Sequence, residues 1–484
     1  MEVDDAALQA GAAVQANTLS KKSKACYGGC AKAIKVWAHS IEEYENDREV
    51  FDGSGELVLP MSIKLIERYF GHLAAQRVAW NGTHKHLSVS KIGGVTSTIT
   101  WLHKTSRIKV NDDVAMYMSQ FTKGYKRTIA EKKQLNEYPM MEGKEYLSTS
   151  GLKILIEEAL KLGPDDDDAA GIRAEAVGGN VGDAGHGPGG GGAGSDPIGS
   201  QKAWTQAIFF LPYLLLLWNT LARVASVGVL MLSHFSLQNG VISCKVPKCK
   251  SDQDGEHAFE KHIFANPIKP MYCAVLALAM RVWTMRPEDG GRLFPGATPE
   301  RKFCDGLSSI LGRLNEARRL VLQNLGAHSI KKGAITFLNS ILGGPSAIAI
   351  ELRADHHIGD VRSRYIFQSI SQDMYIGRCL AMLPTHDVDF CCTAAYFTSD
   401  CPEIDWSAVF PMHAAVPESF VAVLPVLLAQ LVYHRTWLRD TLKSGHPILM
   451  THLFSSGVAD ELAPYVRFDR DPQGGGIPSE QYFY

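Results

Sequence analysis

Two basic-residue boxes near the middle of the 484-residue chain hold the side chains best suited to chemistry. His328 and Lys331 are three residues apart, and His356 precedes Tyr365 by nine. Arg223 lies upstream in an otherwise apolar run, and Lys250 opens the polar stretch Lys250-Ser-Asp-Gln-Asp-Gly255. Cleaving a phosphodiester without a metal requires a nucleophile, cations on the non-bridging oxygens, a base for the nucleophile and an acid for the leaving 5′ oxygen. In that order the candidates are Tyr365, Arg223 with Lys331, His328 and Lys250, and the spacing of His356 from Tyr365 adds it to the same clamp. A phenol with its ordinary pKa of about 10 is a poor nucleophile, so cations must surround it and the phosphate. Singly, each residue has an ordinary structural explanation: a solvated lysine, a packed histidine, a buried arginine. Their order and spacing together point to chemistry. Neighbours compete for these roles. Tyr375 stands nineteen residues from His356, His357 adjoins His356, and Lys245 and Lys248 precede Lys250. Spacing favours Tyr365 and His356, and only Lys250 opens the Lys-x-Asp-Gln-x-Gly turn.

Several elements must position these residues. The run from Ile208 to Leu232 that carries Arg223 exceeds the roughly 20 residues a membrane span needs. Pro212, Asn219 and Arg223 interrupt it, and an arginine at mid-span costs about 2.5 to 3.5 kcal/mol even on a lenient scale, so a buried helix is expected instead. Two β-prone runs, 240–250 and 257–265, flank an Asp- and Gly-rich turn and predict a hairpin with Lys250 near its tip. Three- and four-residue apolar spacing predicts helices elsewhere, as in 34–41, 63–73 and 147–160. The expected organisation is a polar tail over 1–22, a helical domain over 23–145, a catalytic domain over 146–385, a helical extension over 386–468 and a frayed tail over 469–484. Residues 164–199, rich in glycine and almost without large apolar side chains, are expected to be a disordered insertion. Within the first domain Lys123, Lys126, Arg127, Lys132 and Lys133 crowd one segment; they form either a solvated helix face or a surface lying on phosphates.

A net charge of -2 argues against nucleic acid on average, yet the acidic run Asp165 to Asp168 falls in the insertion, so local charge counts for more than the sum. Ten cysteines in a chain of this length make no disulfide framework and show no properly spaced zinc pairs, which points to reduced intracellular thiols. The acidic opening Met1-Glu-Val-Asp-Asp, with no apolar stretch after it, does not read as a signal peptide.

The chain resembles the tyrosine recombinases, closest to those of Crypton-type mobile elements. The resemblance rests on Trp218-Asn-Thr-Leu-Ala-Arg223, Lys250-Ser-Asp-Gln-Asp-Gly255, Ile263-Phe-Ala-Asn-Pro267, Leu293-Phe-Pro-Gly296, His328-Ser-Ile-Lys-Lys-Gly-Ala334 and the segment from His356 to Tyr365. It implies a mainly α fold with a small β-hairpin or sheet, in which a helical SAM-like core-binding domain precedes the catalytic domain. It also implies Arg223 as the first catalytic arginine, Lys250 as general acid, His328 as the histidine of the His-x-x-Arg box, His356 as a phosphate ligand and Tyr365 as the nucleophile that forms a 3′-phosphotyrosine. Duplex DNA as partner, a synaptic tetramer, a nuclear location and no need of metal, cofactor or membrane follow from the same resemblance. Two positions depart from the family pattern. Lys331 replaces an arginine and loses its planar fork, and Asp355 replaces a glycine and sets a carboxylate near the phosphate.

Overall fold

The structure, a computed structural model, describes residues 19–75, 77–78, 84–139, 143–164, 197–246, 259–316, 324–356, 358–359 and 365–470. The chain divides into two compact units, Met1–Gly143 and Lys144–Tyr484.

Serine caps start most helices of the first unit. Ser20, Ser62 and Ser88 accept backbone N–H bonds from Ser23, Leu65 and Lys91, which satisfies donors that a helix start leaves open. The helices are α1 (Lys21–His39), α2 (Ile63–Ala74), α3 (Val89–Thr105) and α4 (Asp112–Gln134). A two-stranded ribbon, β1 (Arg77–Val78) with β2 (His84–Lys85), separates α2 from α3. Each helix turns one stripe inward, as Leu65, Ile66, Tyr69, Phe70 and Leu73 do on α2. The first 18 residues of the expected tail lie outside the described residues, and α1 begins at Lys21.

The second unit is built around one long apolar helix. After α5 (Thr149–Leu160), capped by Ser148, most of the expected insertion (165–196) lies outside the described residues, and the chain resumes as α6 (Pro197–Thr220). From Phe209 to Ala222 every residue of this run is buried, the arrangement expected of a helix that is apolar all round. Packed against it are α8 (Ala274–Trp283), itself buried along its whole length, and α10 (Ala327–Ser340). Among the described residues no single helix is long and apolar enough to cross a membrane, although the bent pair Glu418–Tyr433 and Arg435–Thr441 passes on length and composition.

A three-stranded antiparallel sheet, in the order β3 (Phe235–Gln238), β4 (Val241–Lys245), β5 (Glu260–Ile263), flanks the helices. The pairing of β4 with β5 matches the predicted hairpin; its connecting loop, with Lys248 and Lys250, lies outside the described residues. Strand β3 was not expected. Asn239 and Gly240 join it to β4 with φ of 49° and 75°, a tight turn whose Asn-Gly pair is the usual signal for such a connection.

Three further helices, α9 (Pro299–Glu316), α11 (Ala347–Arg353) and α12 (Ile370–Leu380), complete the region around α10. At Gly333 of α10 an added Cβ would stand 1.9 Å from the Leu147 carbonyl oxygen, and Leu147 donates its N–H to Ser329 at 2.8 Å. The helix thus lies flush on the backbone ahead of α5. Residues after 386 join the same core rather than a separate one: Leu427, Leu428, Leu431 and Val432 of α13 (Leu424–Tyr433) are fully buried in it. The protein is mainly helical with small antiparallel sheets.

Candidate active site

Arg223 is placed by an abrupt break between two helices. Helix α6 stops at Thr220, Leu221 turns the chain in the left-handed region at φ 50°, and Arg223 then caps the short helix α7 (Val224–Gly228) in an extended conformation. A leucine in that region costs about 1 to 3 kcal/mol and persists because its side chain is fully buried in the core. The Arg223 Nη1 is buried and has no hydrogen-bond partner among the described residues. A buried guanidinium nitrogen without an acceptor is an incomplete arrangement, and an anionic oxygen would complete it.

His356 is set by the end of another helix. Beyond α11 its N–H donates to the Glu351 carbonyl at 2.9 Å and that of Asp355 to Leu352 at 3.0 Å, with Asp355 left-handed at φ 54°. This double closure is a Schellman stop, and it fixes the backbone of the histidine. Lys331, from α10, donates its ammonium to the Ala354 carbonyl at the same helix end, where a positive charge is favoured by the helix dipole. The His356 imidazole is held below its ordinary pKa by partial burial, then by the Lys331 and Arg223 cations; Glu351 and Asp355 pull the other way. Charges from α10 and from the α6–α7 break therefore act together on the ring that α11 presents.

His328 is exposed one turn before Lys331 on α10, a three-residue spacing that puts both on one side of the helix. Tyr365 is 79% exposed and makes no hydrogen bond or ring contact among the described residues. His357 and residues 360–364, like Lys250, lie outside the described residues. The structure thus brings Arg223, Lys331 and His356 together, sets His328 beside Lys331, and leaves Tyr365 on the surface. Its competitor Tyr375 is committed elsewhere: its hydroxyl donates to the Gly343 carbonyl at 3.0 Å, and burial raises its pKa, opposite to what a nucleophile needs. Lys245 is exposed on β4 opposite Glu260.

Behind these residues lies a buried network that sequence reading did not anticipate. Arg353, fully buried, donates to the carbonyls of Asn219, His262 and Asp373 and pairs with the Asp373 carboxylate at 2.5 Å. The same carboxylate accepts from the His262 N–H and ring, each at 2.8 Å, and from Gln368 at 2.8 Å. Burial alone would raise the Asp373 pKa, but Arg353 and His262 outweigh it and hold it below the usual value. The network joins the end of α6, β5, α11 and α12, the elements on either side of Arg223 and His356. Helix α12 can approach because position 377 is glycine: a Cβ there would meet the His262 carbonyl oxygen at 2.5 Å.

On α4 of the first unit Val114, Met118, Tyr125 and Ile129 face the core, while Lys123, Lys126 and Arg127 are exposed on a common face. Lys132 pairs with Glu137 at 3.1 Å and Lys133 lies 5.7 Å from the Tyr138 ring centre, so those two are held locally. Among the described residues no three metal-ligating side chains gather. No protein-family model matches the chain, and no curated protein matches it.

Proposed function

We propose that the chain breaks and rejoins DNA by tyrosine-recombinase chemistry. Tyr365 Oη attacks the scissile phosphorus, a 3′-phosphotyrosine forms, and the bond to the 5′ oxygen breaks. His328 takes the phenolic proton and Lys250 protonates the departing 5′ oxygen. Arg223, Lys331 and His356 hold the non-bridging oxygens. Because the phosphotyrosine conserves the bond energy, attack by a 5′ hydroxyl rejoins the strand with no need of ATP, a metal or another cofactor. Duplex DNA as substrate, synapsis as a tetramer and a nuclear location belong to this reading.

The observation that carries it is the convergence of the Arg223 and Lys331 charges on His356, with Arg223 Nη1 buried and lacking a partner among the described residues. Oriented cations beside an imidazole whose charged form is disfavoured suit a phosphate whose charge grows in the transition state. The test is a nicked suicide duplex, screened over candidate sites. A covalent protein–DNA adduct that disappears in Tyr365→Phe supports the reading, and persistence of the adduct in that variant overturns the assignment of the nucleophile.

A second reading is a recombinase-like protein that binds DNA with little or no cleavage. Lys331 favours it: an ammonium already hydrogen-bonded to Ala354 is a point charge, without the two-pronged grip of a guanidinium. Adduct formation seen only in Lys331→Arg supports this second reading.

A further inference from the structure

Lys261 had no role in the chemistry described above, yet it is the most deeply buried lysine near the site. It stands on β5 between the two neighbours that serve the Arg353 network and the sheet edge, with a side chain 1% exposed. Its ammonium lies 2.8 Å from the Asp355 carboxylate, which is itself 15% exposed. Asp355 is the left-handed residue of the Schellman stop and the residue directly before His356. Its φ of 54° suits glycine better than a residue with a Cβ, and its negative charge opposes any anion brought to His356. Both disadvantages are met by one contact. The ion pair ties the aspartate side chain to the sheet, 94 residues away in sequence, and cancels its charge where water is scarce.

We propose that Lys261 is a positioning residue for the anion site: by neutralising and anchoring Asp355 it fixes the corner that presents His356 and makes that corner receptive to phosphate. Where the ligand is a DNA phosphate, the inference rests on the function proposed above; the pairing itself and its effect on the ring do not.

The two are separated by two measurements on the full chain: NMR titration of the His356 ring and affinity for duplex DNA at fixed salt. In Lys261→Met the loss of the cation beside Asp355 is expected to raise the His356 pKa and to weaken DNA binding on the order of tenfold to 100-fold. Lys261→Met with Asp355→Gly removes both charges and supplies the residue that φ favours; both quantities are expected to return to within about threefold of the original protein. If the ring responds and recovers in this way while DNA affinity stays flat, the positioning role stands and the DNA reading fails. A folded Lys261→Met with an unmoved His356, or a double variant that does not recover, overturns the proposal. Should Lys261→Met not fold, Asp355→Gly is compared with the double variant: a His356 pKa lower in the single variant and restored in the double supports the role, and equal values overturn it.

Discussion

Arg353 and Arg223 bracket the site with the same functional group in opposite conditions. Arg353 is fully buried and directs both Nη groups at three carbonyls and a carboxylate, with only its Nε lacking an acceptor among the described residues, so most of its donors are consumed by the fold. Arg223 sits at a helix break with a buried Nη1 that nothing among the described residues accepts from. A cation whose Nη groups are both engaged holds elements together, and one with an open Nη is held by them. The difference separates residues whose loss unfolds the protein from residues whose loss silences it.

The largest expected effect tests the engaged side. Arg353→Met leaves the buried Asp373 carboxylate without its guanidinium partner and should lower stability by about 3 to 5 kcal/mol, measured by urea denaturation. On the open side, Arg223→Ala should leave stability within about 1 kcal/mol while slowing adduct formation about 100- to 1,000-fold. If Arg223→Ala unfolds the chain instead, the contrast between the two arginines is lost.

Acid should act on the two regions by different routes. The depressed pKa of Asp373 means that its contribution is present above the unfolded value of about 3.8 and lost only as pH falls through the lower folded value. His356, held below 6.5, gains a positive charge at the site when it is protonated, so under the proposed function DNA affinity should rise as pH falls through its pKa. Removing a cation in Arg223→Ala should move the His356 pKa upward, which NMR can follow. The smallest effect concerns the first unit. Replacing Lys123, Lys126 and Arg127 together by glutamine should reduce the salt slope of DNA binding by about one unit per residue. Lys132 and Lys133, engaged with Glu137 and Tyr138, should contribute less.

Much of this contrast was legible in the sequence, though not all. Helices followed apolar spacing and serine caps, and the pairing of β4 with β5 followed β-prone runs around a turn. Asn239-Gly240 offered the signal for β3, but the four residues 235–238 directly follow a long apolar run of helical character that masks them. At the site, Arg223, Lys331 and His356 could be chosen by residue type and order. Lys261 and Asp373 could not be, because a lysine on a strand and an aspartate in a helix take their meaning from partners about a hundred residues away. Local pattern encodes elements well. It carries little about which buried charges will meet.

The flush seating of α10 at Gly333 makes that position a gauge of clearance for the whole site. The smallest possible side chain, a single methyl, has no room above the Leu147 carbonyl, so α10 or the Leu147 backbone must shift to admit it. A shift of α10 carries His328 and Lys331 with it, and in the proposed reaction, which depends on alignment, displacements near 1 Å are enough to cost about two orders of magnitude. A residue with no functional group of its own thereby sets the tolerance to which the candidate catalytic ones are held.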